Sequence, residues 1–427
     1  MIVALSIVIV LIAVLAWTPL RRRPFSSLGI AVVSIGFLMA LILEPRWLLL
    51  PLSVAAMLAL GSGVIIGTGP SGRRTRSTAR RVAAALLAVS AVATASLAGA
   101  TAWALPALEL PPPSGPHAIG ARDVQWDTGR EESFTTDPND TRMLVARVWY
   151  PTEASGPRTP YMASPAISQA LADQFGIPAF LLDGVAHAKT NAVVNAPQAD
   201  GSFPLVIFSP GLGGSRTQNT VWAENLASHG YIVVAVDHPY DSAAVVLEDG
   251  TVIRSSLATT GDDETDQRIA NELASIRADD LLSTLDYFET ILPSATVATA
   301  GHSIGGAAAI LAAARDPRVD AVVDIDGLPR GGLPTVPVLA IVAGEGTGSA
   351  ESDERYDSAL DEVLASCGKR VDVRGAQHLS FTDAALYLPP LPSLIGLEGR
   401  TAALTVANEE TLAFLRGELG TGTNPCA

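Results

Sequence analysis

The chain has 427 residues, a formal net charge of −15 and 48% hydrophobic residues, a length that admits one large domain or two modest ones. The acidic balance argues against nucleic acid as a partner, because phosphate binding needs clustered Lys and Arg. An acidic surface of this kind serves solubility.

The charge is unevenly spread. Residues 1–105 hold nine arginines and a single acid, Glu44. Four apolar runs fill this region: Met1–Leu20, Phe25–Leu43, Trp47–Gly67 and Val82–Leu105. Each is near the ~20 residues that cross ~30 Å of hydrocarbon, and none has an interior charge. About four transmembrane helices are expected over 1–105. The first run could be read as a signal peptide, but it lacks a basic start and three similar runs follow. The fourth is Ala-rich and could instead be cleaved or peripheral. Arg21, Arg22 and Arg23 follow the first run, and Arg73, Arg74, Arg76, Arg80 and Arg81 precede the fourth. By the positive-inside rule those two loops are cytoplasmic. The expectation is a multi-pass protein of the cell membrane, with both termini and the C-terminal domain extracytoplasmic.

Residues 106–118 open with PALELPPPSGP, a Pro-rich stretch suited to a stiff spacer. Over 119–427, RMLVARVWYP (142–151) alternates as a strand, and FPLVIFSPG (203–211) is a continuous apolar run. TVWAENLASHG (220–230) reads as a helix closed by Gly230, YIVVAVDHP (231–239) as a buried strand, and 267–291 as a helix by its apolar spacing. VDAVVDIDG (319–327) and VPVLAIVAGEG (336–346) add strands, 351–367 an amphipathic helix, and KRVDVRGAQH (369–378) a last strand and loop. Unalternating strands separated by helices indicate an α/β fold, a mostly parallel sheet with helices on both faces.

Within this pattern, TVATAGHSIGGAAAILAAARD (296–316) joins a short strand candidate to a strong helix former through Gly301-His302-Ser303-Ile304-Gly305. This is the nucleophile-elbow pattern. Alone it is weak, since chance supplies on the order of 0.2 matches in a chain this long. The strand–turn–helix context makes Ser303 a candidate nucleophile. A serine hydroxyl needs a base to remove its proton. The order in such folds is Ser, acid, His, and of the six histidines only His378 lies after Ser303. His238, which follows a strand, is the strongest rival by position. His229 sits at a predicted helix end, where a cap role is commoner. His302 should point away from the serine. For the acid, Asp324 and Asp326 share one side of their strand, so parity does not separate them. Position favours Asp326, the last strand residue before Gly327, with Asp324 as a supporting carboxylate. An oxyanion hole needs two backbone N–H groups: one from Ile304, the other from the Gly-rich loop SPGLGGSR (209–216).

The two cysteines, Cys367 and Cys426, could pair in an oxidising compartment or stay free, and two distant cysteines do not make a metal site. No metal, cofactor or obligate protein partner is implied. LYLPPLPSLIGLEG (386–399) is unusually apolar for a late loop. It is either a packed loop or part of a substrate entrance or bilayer contact.

The stretches FSPGLGGSRTQNTVWAENLASHGYIVVAVDH (208–238), GHSIGGA (301–307), VVDIDGLP (322–329) and GAQHLSFTD (375–383) resemble the platelet-activating factor acetylhydrolase family of α/β-hydrolases. More broadly they resemble bacterial lipases and cutinase-type polyester hydrolases. The likeness spans roughly 140–385 and implies an α/β-hydrolase fold, with the nucleophile at Ser303, the acid at Asp326, the base at His378 and an oxyanion amide at Leu212. The family pattern has His where this chain has Pro210, and bulkier aromatic residues where it has Gly327-Leu328-Pro329, which leaves substrate choice open. The expected activity is a membrane-anchored serine esterase acting on short-chain acyl or phospholipid-type esters. A polyester or triacylglycerol hydrolase, an envelope acyltransferase and a non-catalytic binding module are the competing readings.

Overall fold

The protein's structure is a computed structural model that describes residues 49–67, 78–257, 260–292, 296–344, 350–365 and 367–421, together with Ile9. The chain divides into two compact units, Met1–Ala107 and Leu108–Ala427.

In the first unit, helix α1 (Leu49–Gly67) packs on helix α2 (Thr78–Ala104). The contact is made by small residues, Ala55 and Ala59 against Ala91, Ala95 and Ala98, which let the two backbones approach closely. The Ser62 hydroxyl donates to the Ala84 carbonyl at 2.9 Å. On α2 the hydroxyls of Thr94 and Thr101 donate to carbonyls one turn back, at 2.8 and 2.9 Å, so these polar groups are satisfied within the helix. Leu86, Val89, Leu97 and Trp103 are exposed. Among the described residues one helix, α2, is long and apolar enough to cross a membrane. The apolar part of α1 is shorter, Leu50–Ala59. The expected spans Met1–Leu20 and Phe25–Leu43 lie outside the described residues, Ile9 excepted.

The second unit is an α/β-hydrolase-like fold. Its strands are β1 (Ala118–Glu131), β2 (Thr141–Thr152), β3 (Arg158–Pro160), β4 (Lys189–Val194), β5 (Leu205–Ser209), β6 (Ile232–Asp237), β7 (Ala244–Val246), β8 (Val252–Arg254), β9 (Val297–His302), β10 (Ala321–Ile325), β11 (Val338–Ala343) and β12 (Gly368–Val373). Ten of them form one sheet in the order β12-β11-β10-β9-β5-β6-β2-β1-β4-β3, and β7 and β8 form a small separate ribbon. From β12 to β6 every pairing is parallel. β2 then runs antiparallel to both β6 and β1.

The period of two sorts the apolar strand residues onto two faces. Val206, Phe208, Val233, Ala235, Val323 and Ile325 join one core, under Trp222 and Leu226 of helix α4 (Thr220–Ser228) and Ala403 and Leu415 of helix α8 (Ala402–Thr421). Leu205, Ile207, Val234, Val236 and Val322 join the other, under Leu281, Leu285 and Phe288 of helix α5 (Asp263–Glu289) and Ala308 and Ile310 of helix α6 (Ile304–Arg315). The remaining helices of the unit are α3 (Pro165–Gln174) and α7 (Ala350–Leu364), with a few single turns. With both faces covered, the central strands need no polar alternation, which is why they read as continuous apolar runs.

The long strand β1 is absent from the sequence-based expectation. Its AIGARDVQWDTGRE is largely polar because much of it is exposed, and it is held by ten consecutive pairings with β2. The Pro-rich stretch also differs from a free spacer. Leu108 is buried in a third core cluster, the Pro111 carbonyl accepts from Asn191 Nδ2 at 3.0 Å, and Ser114 bonds Asn225 and His229. The segment therefore docks on the second unit through one proline carbonyl and through N–H donors, with Leu108, Ser114, Gly115 and His117 all donating to it. Cys367, just before β12, is disulfide-bonded. The only other cysteine of the chain, Cys426, lies outside the described residues.

A Cβ at Gly115 would overlap the Ser228 carbonyl. Gly115→Ala should therefore destabilise the second unit by about 1–3 kcal/mol, read as a lowered thermal midpoint; an unchanged midpoint would show that the segment is not docked.

Candidate active site

Ser303 sits between β9 and α6 at φ 58°, ψ −127°, a left-handed conformation that costs a side-chain-bearing residue of order 1–3 kcal/mol. The turn is possible because of the glycines beside it. A Cβ on Gly301 would overlap the backbone of Gly305, and a Cβ on Gly305 would overlap the Ser209 carbonyl at the end of β5. Helix and strand thus fold back in direct backbone contact, with Ser303 half-buried at the crest. Its N–H donates to the Ile325 carbonyl of β10 at 2.9 Å, which ties the elbow to the strand that carries both candidate acids.

Asp326, like Ser303, has a positive φ, 55°. Its N–H donates to the Ile341 carbonyl at 2.7 Å, and its Oδ1 accepts the Ala343 N–H at 2.8 Å. Its Oδ2 lies 2.6 Å from Nδ1 of His378. Burial raises the Asp326 carboxyl, but the hydrogen bond and charge of His378 outweigh it, and the group is held below the usual carboxylate range. Asp324 does not reach the histidine. It stays in β10, where its Oδ1 accepts the Gly327 N–H at 3.0 Å. Complete burial, then the charge of Asp326, push it well above the usual range. Two carboxylates two residues apart are thereby shifted in opposite directions. Asp324 holds the turn from which Asp326 projects.

His378 begins a short 3₁₀ turn, His378–Phe381, and its side chain is 40% exposed. Its ring lies 4.4 Å from that of His302, the neighbour of Ser303 in the chain. Ile304 opens α6, so its N–H has no acceptor inside the helix. Leu212 is exposed in the Gly-rich loop after β5. The rival histidine, His238, is fully buried, with Nδ1 2.7 Å from Asp280 and Nε2 2.9 Å from the Ser209 hydroxyl. Burial and the charge of Arg277 hold it below its ordinary value. His229 ends α4 and bonds Ser114 and Arg416. The apolar stretch 386–399 is divided, with Leu386 and Ile395 buried and Leu391 and Leu397 exposed. Among the described residues no group of acids, histidines and cysteines could hold a metal ion.

Sequence reasoning missed Arg277 and Asp241. The Arg277 guanidinium, itself buried, grips the Asp241 carboxylate at 2.5 and 2.6 Å. It also donates to the Ser209 hydroxyl at 3.1 Å, the Gly211 carbonyl at 3.2 Å and the Pro210 carbonyl. It therefore anchors the loop that presents Leu212. A signal for it existed. Arg277 lies four residues from both Leu273 and Leu281 on the buried stripe of α5, where a charge is affordable only with partners.

Comparison with known proteins agrees with this architecture. Residues 104–291 match the family model described as "Platelet-activating factor acetylhydrolase, isoform II", a region that holds the Gly-rich loop and Arg277 and ends before the elbow. The chain is 26% identical to a platelet-activating factor acetylhydrolase of Cavia porcellus over 361 residues, covering 74% of this chain and 79% of that protein. It is 26% identical over 257 residues to a probable 1-alkyl-2-acetylglycerophosphocholine esterase of Arthroderma benhamiae, covering 57% and 65%. Among solved structures it is similar to a ferulic acid esterase from Streptomyces cinnamoneus, with a TM-score of 0.62, 27% identity and coverage of 75% of this chain and 95% of that one.

The chain is an ester hydrolase. In this esterase the groups around Ser303 are fixed from beneath by buried ion pairs. Replacing Arg277 with Met would leave Asp241 buried and unpaired, at a cost of about 3–5 kcal/mol. Arg277→Met should lower the urea midpoint accordingly and reduce ester turnover at temperatures where the variant is still folded. Full turnover would mean that the loop holds its position without the clamp.

Proposed function

We propose that the protein is a serine hydrolase in which Ser303, His378 and Asp326 form the catalytic triad and the Leu212 and Ile304 amides form the oxyanion hole. The observation that carries this reading is the 2.6 Å contact between His378 Nδ1 and Asp326 Oδ2, with the His378 ring 4.4 Å from that of His302, the residue before a serine held at positive φ on a strand–helix turn. Asp326 fixes the imidazole with its proton on Nδ1, leaving Nε2 free to act as base. Ser303 Oγ attacks the ester carbonyl while Nε2 takes the hydroxyl proton. The tetrahedral oxyanion is met by the two amides. The imidazolium then protonates the departing alcohol, leaving an acyl-enzyme. A water molecule attacks the acyl carbon by the same route, and Ser303 recovers its proton as the carboxylic acid leaves.

Short-chain acyl esters and short-tailed phospholipids are the favoured substrates, a reading supported by the relatives named for acetylated glycerophospholipids. The ferulic acid esterase likeness favours a second reading, esters of aromatic acids. The α2 helix supports a membrane-anchored enzyme. The Arg-rich loops of the N-terminal region favour a multi-pass topology with the hydrolase outside the cytoplasm.

The test combines labelling with a substrate series. A fluorophosphonate probe should label the wild type and Ser209→Ala, since Ser209 is sealed in the core, but not Ser303→Ala; labelling of Ser303→Ala would exclude the triad. Asp326→Asn should lower kcat by on the order of 10³–10⁴, as expected when the imidazole loses its fixed tautomer. With p-nitrophenyl esters of rising chain length, turnover should fall steeply beyond short acyl groups. A preference for methyl ferulate over all of them would favour the aromatic-acid reading.

A further inference from the structure

We propose that Gln218 and His302 form a positioning relay that locks the oxyanion loop to the backbone of the catalytic histidine. The inference rests on the triad reading above and extends it to two residues outside the triad and the oxyanion hole.

The directions of the hydrogen bonds follow from one fixed donor. The Gly211 N–H, one residue before the Leu212 amide, donates to Gln218 Oε1 at 3.1 Å. The amide oxygen of Gln218 is thereby assigned, and its Nε2 must face His302 Nδ1, 2.9 Å away. An NH₂ group only donates, so Nδ1 of His302 is the acceptor and carries no proton. The ring proton then sits on Nε2, which donates to the His378 carbonyl at 3.0 Å. One unbroken chain of bonds therefore runs from the loop that presents Leu212 to the main chain of His378. It passes through the residue that immediately precedes Ser303.

The surroundings are shaped for this relay. A Cβ on Gly214 would overlap the Gln218 side-chain oxygen, and a Cβ on Gly211 would lie 2.9 Å from His302 Nδ1. Two of the loop's glycines thus make room for the glutamine and the histidine. Backbone bonds close the same seam: Asp383 N–H donates to the Gln218 carbonyl at 2.9 Å, and Asn219 Nδ2 to the Phe381 carbonyl at 2.7 Å. His302 is buried, and burial, then the nearby charge of His378, push it down to about 3. It stays neutral and keeps a single tautomer at physiological pH.

The experiment uses the full-length chain in detergent micelles, with p-nitrophenyl acetate as substrate. Gln218→Met preserves length but removes both bonds, and His302→Phe preserves a ring but removes both bonds. Each should lower kcat by about 10- to 100-fold, the scale of a small misplacement of reacting groups, with KM within about twofold. The double variant should lose no more than the worse single variant, because both break one chain. Wild-type kcat in folded Gln218→Met, a loss confined to KM, or losses that multiply would each overturn the relay. Ring ¹⁵N-histidine NMR of the wild type gives a reading independent of variant folding. A neutral Nε2–H form of His302 is expected, and an Nδ1–H form or an imidazolium at pH 7 would overturn the proposal. Ser303→Ala in the same assay separates the two levels. If it remains active, the triad reading falls. If it is inactive while Gln218→Met matches the wild type, only the relay falls.

Discussion

The close approach of Gly305 to the end of β5 is the constraint on which the site depends. A Cβ there would overlap the Ser209 carbonyl and lie 2.6 Å from the Pro210 carbonyl, so helix α6 is seated directly on the root of the Gly-rich loop. Two consequences follow from one contact. Ser303 is forced into the left-handed region, with its side chain at the crest of the turn. The N-terminus of α6, with its unpaired N–H groups and positive end of the helix dipole, is brought beside the loop that carries Leu212. The proposed nucleophile and both proposed oxyanion amides are therefore placed by backbone packing, before any side-chain interaction is considered.

Holding a loop on such a contact requires buried charge. Arg277 and Asp241 pair beneath the loop, and Arg142 binds Glu132 and Asp280, with Asp280 also bonded to His238. Replacing such buried pairs with well-packed apolar groups is often neutral or stabilising, so stability alone does not account for them. Apolar side chains, however, cannot hold carbonyl groups in place. Arg277 binds the oxygens of Pro210 and Gly211, polar atoms that packing would have left without a partner. The arginine exchanges desolvation cost for a fixed backbone, and a fixed backbone is what an oxyanion hole requires.

The sequence disclosed some parts of this arrangement and hid others for physical reasons. The parallel half of the sheet was legible because strands buried on both faces are apolar throughout. The elbow was legible because sterics demand glycine on both sides of Ser303, and His378 because chain order leaves no other histidine. Asp326 and Asp324 were not separable by periodicity. The three-dimensional distinction between them is the positive φ that turns Asp326 out of the strand toward His378. β1 was hidden by its polarity, since an exposed face gives no apolar run. Arg277 and Gln218 were hidden because their roles are defined by carbonyls and amides far away in sequence, which no local pattern records. The apolar runs suggested four spans, and among the described residues one helix meets the length and apolarity of a span.

The chain also holds a serine, a histidine and an aspartate joined in the order of a triad in its core, and they contrast with the proposed site. Ser209, His238 and Asp280 are joined at 2.9 and 2.7 Å, a geometry as good as that between His378 and Asp326. All three are completely buried. Ser209 is the last residue of β5, completely buried, and its hydroxyl also accepts from Arg277, so no ester carbonyl can approach it and its lone pair is engaged. Asp280 is committed to Arg142 as well as to His238. Connectivity among serine, histidine and aspartate is thus insufficient for nucleophilic catalysis. Ser303 differs in standing half-buried on a strained turn at the end of a central strand, next in the chain to His302, whose ring lies 4.4 Å from that of the partly exposed His378. Burial and regular structure make the first arrangement a structural strut, whereas the proposed one pairs a strained turn with a histidine that solvent reaches.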